Sequence, residues 1–339
     1  MIALLMTMVI ELNRKTGSFA ESANVIKRRA TLEYMTSSAI HMAMALLVKD
    51  KKESDESDSL QEDWADPEII SNAMNDMVFE EGTIEVKITD ELGKIQINAL
   101  VDFPDGRNFN EPQRRMWERF LRYLRPEEGI SDDDTMPSAI YNSTKDWLDS
   151  NDDGAITGVN GAESYYYEGL DPPYTCKNGP FSSIDEFFLV KCVAELFEVA
   201  GGLDQVTGFI TQHGMTDSDG KKFTFPGKIN INTAELPVLA ALLPDGEEHL
   251  AMDLIAYREE MSDGVYTHGL KDPQWYKRAP GLADTKIDPK LITTSSDFFR
   301  IEAIAVAHEI KLKTTAVVKR EKDKKTGKYI CKALYWKGE

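Results

Sequence analysis

The sequence has few of the residues that usually mark a redox or zinc site. It contains three cysteines, Cys176, Cys192 and Cys331, and no two of them have the spacing of a CxxC redox or zinc motif. Cys176 and Cys192 could form a disulfide in an oxidising compartment, and three free or buried thiols explain the same pattern at least as well. The spacing of the cysteines therefore excludes CxxC redox and zinc motifs. It leaves open whether Cys176 and Cys192 form a disulfide or are free thiols.

Recognisable catalytic motifs are also missing. The five histidines do not form an HExxH signature, and the sequence has no GxSxG, P-loop or dinucleotide-binding glycine pattern between a strand and a helix. The many carboxylates could include an acid and base pair, but no spacing selects one. We therefore predict no catalytic residue. An exported hydrolase or carbohydrate-active enzyme stabilised by Ca²⁺ stays as the alternative to a protein without enzymatic activity.

The chain has fewer basic than acidic residues, 39 Lys and Arg against 58 Asp and Glu, and its net charge is −19. This charge argues against a nucleic-acid partner, because phosphate binding needs a basic face. The charge is uneven: residues 1–49 have 6 basic and 3 acidic side chains, residues 307–339 have 10 and 4, and the residues between them have 23 and 51. An acidic middle between two basic ends indicates an insertion and favours divalent cations.

Long apolar runs are absent as well. The first residues, MIALLMTMVIEL, contain about ten apolar side chains, and a membrane-spanning helix needs about twenty. Residues 10–49 are nevertheless typical of one long helix, because they contain no proline and their apolar side chains recur at helical spacing.

Alternating apolar and polar residues predict strands on both sides of the acidic middle. Residues 78–100 alternate around a turn at 90–93, which predicts a β-hairpin. Residues 298–307, 309–319 and 328–336 alternate in the same way, and a turn at 323–327 joins the last two runs. We therefore predict a long helix against a small antiparallel sheet, with the chain from about 102 to 295 inserted in that sheet.

The inserted part is predicted to be mostly helical. Residues 111–125 and 137–150 form two of the predicted helices, and residues 182–200 form a third with Ser182 or Ser183 as its N-cap. A further helix is predicted after Thr233, its expected N-cap, with Pro237 in the first turn. Residues 228–248 are similar to a helix-hairpin-helix, but the acidic turn at 243–248 indicates packing rather than DNA binding.

A short acidic loop follows the second of these helices. Its polar side chains fall within five residues: Asp149, Asn151, Asp152 and Asp153. Such a loop can converge oxygens on Ca²⁺, but an EF-hand would have a glutamate where Asn160 stands, and Glu163 comes three residues later. Two interpretations stay open: a different Ca²⁺ loop closed by Glu163, and a plain Asp/Asn/Gly turn without metal.

Several spaced motifs surround this loop in a fixed order. They are DWLD at 146–149, GAE at 161–163, YYY at 165–167, DPPY at 171–174 and a run from NGP at 178–180 to Glu186; GKIQINAL at 93–100 precedes them and ININTA at 229–234 follows. In this order the motifs resemble GspK, the family of large minor pseudopilins of type II secretion systems.

The resemblance implies a fold and its division along the chain. The fold would be α+β and pilin-like, a long N-terminal helix on a small antiparallel β-sheet with a large, mostly α-helical domain inserted in the sheet. Residues 1–101 would form the helix and first strands, residues 102–295 the inserted domain, and residues 296–339 the strands that complete the sheet.

It also implies a function without catalysis. The chain would cap the tip of the secretion pseudopilus together with GspI-like and GspJ-like minor pseudopilins, for protein secretion across the outer membrane, with secreted substrates as further candidate partners. It would be anchored in the inner membrane by a single pass of its N-terminal apolar helix, with its body in the periplasm. Ca²⁺ would be bound in the acidic loop by Asp149, Asp152, Asp153 and Glu163, with Asn151 as a weaker ligand.

Overall fold

The computed structural model describes residues 2–53, 56–75, 77, 79, 82–124, 135–150, 156–158, 160–194, 204–218 and 222–339. The chain divides into two compact units. The first comprises Met1–Asp55, Glu62–Thr89 and Phe299–Glu339, and the second comprises Glu56–Gln61 and Asp90–Phe298. The chain thus leaves the first unit after residue 89 and returns to it at residue 299. The sequence analysis placed these two boundaries after residues 101 and 295.

The first unit contains the long helix α1, Ile2–Glu53, and the short helix α2, Pro67–Asn75. Helix α1 includes the predicted helix over residues 10–49 and extends beyond it at both ends. Its C-terminal half is buried on one side by apolar residues three and four positions apart, namely Leu32, Met35, Ala39, Ile40, Ala43 and Leu47.

The N-terminal part of α1 is exposed. Its large apolar side chains are accessible over more than half of their surface, and they include Ile2, Leu5, Met6, Met8, Val9, Ile10 and Leu12. Among the helices of the described residues, α1 included, none is both long enough and apolar enough to cross a membrane.

The sheet of the first unit has the strand order β1-β10-β11-β12. Its strands are β1, Thr83–Asp90, β10, Phe298–Ala307, β11, Ile310–Lys322, and β12, Tyr329–Gly338. Strands β11 and β12 pair antiparallel. The buried positions of β10 and β11 alternate, and Phe299, Ile301, Ala303, Ala316 and Val318 share one hydrophobic core with α1. The three predicted C-terminal strands are therefore confirmed.

The buried Arg320 ties β11 to α1. Its Nη1 donates to the carbonyl of Leu47 at 3.0 Å and to Asp50 Oδ2 at 3.3 Å. Its guanidinium carbon lies 4.8 Å from the ring centroid of Phe299. A fully buried guanidinium needs such partners, because an unpaired buried charge is strongly destabilising.

The predicted β-hairpin over residues 78–100 is wrong. Strand β1 pairs with β10 and ends at Asp90, after which Glu91–Gly93 form a 3₁₀ helix. Only β2, Ile95–Gln96, continues as a strand, and it pairs parallel with β3, Ile210–Thr211, in the second unit. The Asp90 carboxylate accepts a hydrogen bond from Leu92 N, which caps the 3₁₀ helix and stops the chain from turning back onto β1.

In the described part of the second unit, helices contain more residues than strands, and the longest elements are helices. Its helices are α3, Glu111–Tyr123, α4, Met136–Leu148, α5, Ser164–Glu168, α6, Asp204–Thr207, α7, Leu236–Leu242, and α8, Ala251–Glu259. Its remaining strands form three further pairs: β4, Thr216–Ser218, with β5, Lys222–Thr224; β6, Ile229–Asn230, with β9, Ile292–Thr293; and β7, Met261–Ser262, with β8, Val265–Tyr266.

A single apolar core joins α3, α4 and α7. Helix α3 contributes Met116, Trp117, Phe120 and Leu121, and α7 is buried over most of its length. The predicted helices at 111–125 and 137–150 are confirmed within one or two residues of their ends, which is the usual uncertainty of helix boundaries.

The predicted helix over residues 182–200 is wrong for its first half, which is not one continuous α-helix, whereas residues 193–194 are α-helical. Ser183 is an N-cap and forms a reciprocal capping box with Glu186, but the element is a 3₁₀ helix, Ile184–Leu189. It stops because Val190 is extended, and Cys192 then takes a positive φ of 67°. Residues 195–200 lie outside the described residues.

Thr233 is not an N-cap. Helix α7 begins after Glu235, with Pro237 in its first turn as predicted. The Thr233 hydroxyl instead donates to Asp90 Oδ2 at 2.7 Å, and Asn230 Nδ2 donates to the same oxygen at 2.8 Å. Burial raises the pKa of Asp90 to about 6, although the hydrogen bonds from these residues, Ser296 and Leu92 favour the charged form.

We expect the Asp90 carboxyl to titrate near pH 6 and not near 3.8, its ordinary value. Because its pKa is raised in the folded state, the folded protein keeps this proton in a pH range where the unfolded chain has lost it. Its contribution to the free energy of unfolding is therefore greatest below about pH 4 and is lost as the pH rises through about 6. Carboxyl ¹³C chemical shifts across pH 3–8 measure the midpoint.

Asp323 is the internal control for this titration. Its exposed carboxylate accepts hydrogen bonds from Thr326, which lower its pKa. We expect Asp323 to titrate below the ordinary aspartate range in the same spectra, and Asp90→Asn to remove the stability change between pH 4 and 6. An Asp90 midpoint near 4 would contradict the prediction.

Candidate metal centre

The candidate site begins at the C-terminal end of α4. Trp147 and Leu148 are buried in the core, so the end of the helix is fixed in position. Asp146 is in the last turn and Asp149 is the C-cap, with its N–H bonded to the carbonyl of Lys145 at 2.8 Å. Three residues apart at a helix end, the two carboxylates lie on the same side.

The second part of the site is the segment from Thr157 to Glu163. Thr157 N donates to both carboxylate oxygens of Asp146, at 3.2 and 3.1 Å, and Ala162 N donates to Asp146 Oδ2 at 2.8 Å. Ser143 Oγ also donates to the carbonyl of Asn160 at 2.9 Å. These bonds fix the returning chain on α4 and bring Glu163 to the two aspartates.

Three carboxylates meet at this point. Asp146, Asp149 and Glu163 each present an oxygen within 4.8 Å of the others. All three residues are almost fully buried, with 0%, 2% and 4% of their surface exposed. Burial raises the pKa of Asp146, while hydrogen bonds from Thr157 oppose that effect by favouring the charged form.

Lys145 supplies the positive charge beside this cluster. Its Nζ lies 2.7 Å from Asp149 Oδ2 and 3.0 Å from Thr157 Oγ1. Its side chain is 13% exposed, and Nζ lies 5.7 Å from the ring centroid of Phe109. The ammonium group of Lys145 therefore lies against one of three clustered carboxylates, and a divalent cation would reduce the repulsion among them.

The donor set fits a hard divalent cation. Carboxylate oxygens are the ligands that Ca²⁺ prefers, and three of them converge here. Gly161 keeps the space beside Asp146 open, because a Cβ at this position would collide with Asp146 Oδ2 and with the backbone of Thr157. A residue larger than glycine is therefore incompatible with this arrangement of the cluster.

The structure brings together two of the five residues that the sequence singled out as ligands, Asp149 and Glu163. The other three, Asn151, Asp152 and Asp153, lie outside the described residues. The sequence analysis missed Asp146 as a member of the cluster. Its signal was present, since Asp146 precedes Asp149 by three residues at the end of a predicted helix and can share its face.

The two cysteines considered for a disulfide are both free thiols, and so is Cys331. Cys176 is buried next to the site, with its Sγ 3.5 Å from the carbonyl of Asp146. Burial raises the pKa of Cys176 to about 12, so its thiol stays protonated and is a poor metal ligand.

The region that contains the site matches a known protein family. Residues 93–198 match the family described as type II secretion system (T2SS), protein K. A curated relative, type II secretion system protein K of Aeromonas hydrophila, is 27% identical over 161 residues. The alignment covers 46% of this chain and 45% of the relative, so the chain spans about half the length of that relative.

The fold is similar over a much longer part of the chain. A chain of the GspK–GspI–GspJ complex from the enterotoxigenic Escherichia coli type 2 secretion system superposes with a TM-score of 0.66. The superposition covers 94% of this chain and 99% of that chain at 18% sequence identity, which establishes a common fold. The predicted α+β, pilin-like fold with an inserted domain is confirmed. Together these findings confirm the resemblance seen in the sequence: residues 93–198 match protein K of type II secretion systems, and the chain has the fold of a subunit of the GspK–GspI–GspJ complex.

Proposed function

We propose that this chain is a minor pseudopilin with a structural, non-enzymatic role in a type II secretion system. It would cap the tip of the pseudopilus, assemble with GspI-like and GspJ-like subunits and support protein secretion across the outer membrane. The observation that carries the proposal is the fold, which is shared with a chain of the GspK–GspI–GspJ complex over 94% of this chain. The match of residues 93–198 to protein K supports it.

The size of the insertion favours the tip position. Residues 90–298 lie between β1 and β10 along the chain, and they form a unit with its own core. A subunit inside a filament has neighbours above and below, which would have to accommodate this additional unit. The last subunit has no neighbour above it, so the insertion meets no steric conflict there.

In this proposal α1 attaches the protein to the inner membrane and the body lies in the periplasm. The exposed apolar side chains between Ile2 and Leu12 support this arrangement, because water is an unfavourable environment for such a stretch. The same side chains suit contacts with the apolar helices of neighbouring subunits.

The proposal includes a Ca²⁺ ion at the carboxylate cluster. Asp146, Asp149 and Glu163 would be its ligands, and Asn151, Asp152 and Asp153 from the adjoining loop stay candidates. The support is the number and burial of the carboxylates, because three like charges this close together are mutually repulsive without a cation. The ion would act as a structural link between the end of α4 and the segment 157–163.

The alternative of an exported Ca²⁺-stabilised hydrolase receives no support from the comparisons, whose matches belong to a secretion system. A structural role also suits the carboxylate cluster. Asp146 accepts hydrogen bonds from the backbone of Thr157 and Ala162, as expected for a site that maintains a local structure.

We expect the full chain to form one complex with the GspI-like and GspJ-like subunits of its own secretion system. Co-expression followed by size-exclusion chromatography with light scattering measures this, and each subunit run alone is the control. We also expect deletion of the gene to stop secretion, and the wild-type gene to restore it. Elution of the chain apart from both subunits, with normal secretion in the deletion strain, would contradict the proposal.

We expect Ca²⁺ to stabilise the protein against thermal unfolding relative to EGTA, because a ligand that binds only the native state shifts the folding equilibrium. At a hundredfold excess of free Ca²⁺ over Kd the gain is about 2.7 kcal/mol. The measurement is differential scanning calorimetry of the full chain with CaCl₂ or EGTA.

The variants for this test are Asp149→Asn combined with Glu163→Gln, which remove two charged ligands and retain side-chain size. The control is Asp284→Asn, at an exposed position away from the cluster. We expect the Ca²⁺ effect to be lost in the double variant and kept in the control. An equal melting temperature of the wild type in Ca²⁺ and EGTA would refute the Ca²⁺ site.

A further inference from the structure

Lys145 has a defined position at the carboxylate cluster. Its ammonium group bridges Asp149 Oδ2 and Thr157 Oγ1, at 2.7 and 3.0 Å, and its aliphatic stem is largely buried. The ring of Phe109 lies on a further side of the ammonium group. A surface lysine would sample many rotamers, whereas this one is restricted to a single place beside the carboxylates.

The ammonium group of Lys145 contacts the same carboxylate, Asp149, that the proposed Ca²⁺ ion would bind. Asp149 Oδ2 accepts a hydrogen bond from Lys145, so a metal ion bound to this oxygen would lie close to the ammonium group and compete with it for the charge of the carboxylate. Thr157 Oγ1 has the same neighbour. An ammonium group that stayed in place would also repel a divalent cation. This repulsion would be strong because the site is largely buried and water screens the charges poorly.

Lys145 also compensates part of the charge of the metal-free cluster. The three carboxylates have oxygens within 4.8 Å of one another and repel each other. The ammonium group of Lys145, on the helix that contains Asp146 and ends at Asp149, reduces this repulsion at Asp149. The two states therefore differ in which cation neutralises Asp149. In one it is the ammonium group of Lys145, and in the other it is the metal ion.

We propose that Lys145 is an internal competitor of the metal ion, which holds the cluster together in the metal-free protein and lowers the affinity of the cluster for Ca²⁺. The inference rests on the Ca²⁺ site of the proposed function and assigns a specific role to a residue that is not a ligand. Lys145 is thus a positioning residue in the metal-free state and sets the Ca²⁺ concentration at which the site fills.

If the ion pair of Lys145 had only a structural role, the Kd for Ca²⁺ would change in the opposite direction when Lys145 is replaced by an uncharged residue. If Lys145 only supported the loop, Lys145→Met would loosen the site and weaken Ca²⁺ binding. If it competes with the ion, the same variant binds Ca²⁺ more tightly and is destabilised only in the absence of Ca²⁺. The sign of the change in Kd therefore separates the two roles.

The experiment is isothermal titration of the full chain with CaCl₂, together with thermal unfolding in EGTA and in saturating CaCl₂. The proteins are the wild type, Lys145→Met, Lys145→Arg and Lys177→Met. Methionine retains the buried stem without the charge, and arginine retains the charge. Lys177 forms a comparable ion pair with Glu186 at 2.6 Å, outside the cluster, and serves as the matched control.

We expect the Kd for Ca²⁺ to fall about tenfold or more in Lys145→Met, because removal of a unit charge a few ångströms from the ion has a large effect at a buried site. Lys145→Arg and Lys177→Met should leave Kd within a factor of about three of the wild type. Lys145→Met should melt below the wild type in EGTA, and the difference should shrink or reverse in CaCl₂.

The outcomes separate this inference from the Ca²⁺ site itself. Ca²⁺ binding by the wild type with an unchanged or higher Kd in Lys145→Met overturns the competitor role and leaves the Ca²⁺ site intact. Binding by Lys145→Met but not by the wild type supports the competitor role in its strongest form. Absence of binding in both proteins overturns the Ca²⁺ site and the competitor role together.

Discussion

An inserted domain can fold only if the points where the chain enters and leaves it are held close together. In the second unit a buried polar network does this. Asn230 Nδ2 donates to Asp90 at the entry and to the carbonyl of Asp58, at 2.8 and 2.9 Å. Asp58 Oδ2 in turn accepts from Ser296 N, near the exit, at 2.8 Å. Because loop closure has an entropic cost and buried polar groups need partners, these bonds specify one closed arrangement, and the core and carboxylate cluster depend on it.

Two groups of buried carboxylates in this unit differ in how their charge can be neutralised. At Asp90, a single carboxylate is surrounded by neutral donors, and burial raises its pKa to about 6, so a proton can remove the charge. At Asp146, Asp149 and Glu163, three carboxylates lie together, and protonation of one leaves the other two in repulsion. A cation is the more effective solution there: the ammonium group of Lys145 lies against Asp149, and the proposed Ca²⁺ ion would neutralise the same carboxylate.

The sequence predicts those features that depend on local pattern. The long helix α1, helices α3 and α4 and the three C-terminal strands have strong periodicity, and the structure confirms them. The partner of a strand is a non-local property, so alternation alone placed β1 in a hairpin, whereas it pairs with β10 more than 200 residues away. Thr233 was misjudged for the same reason, because its partner Asp90 is distant in the sequence. Asp146 was missed although its spacing from Asp149 on the predicted helix was a local signal.

No disulfide joins the two cysteines of the second unit. Cys176 and Cys192 are free thiols, and burial keeps Cys176 protonated. A disulfide would stabilise the domain permanently, mainly by restricting the unfolded chain. A cation that binds only the folded cluster stabilises it in proportion to the concentration of free ion. In the proposed scheme, the ammonium group of Lys145 would keep the cluster partly neutralised when the ion leaves, and Thr157 and Ala162 would keep their hydrogen bonds to Asp146. The domain would then remain folded without the ion and become more stable with it.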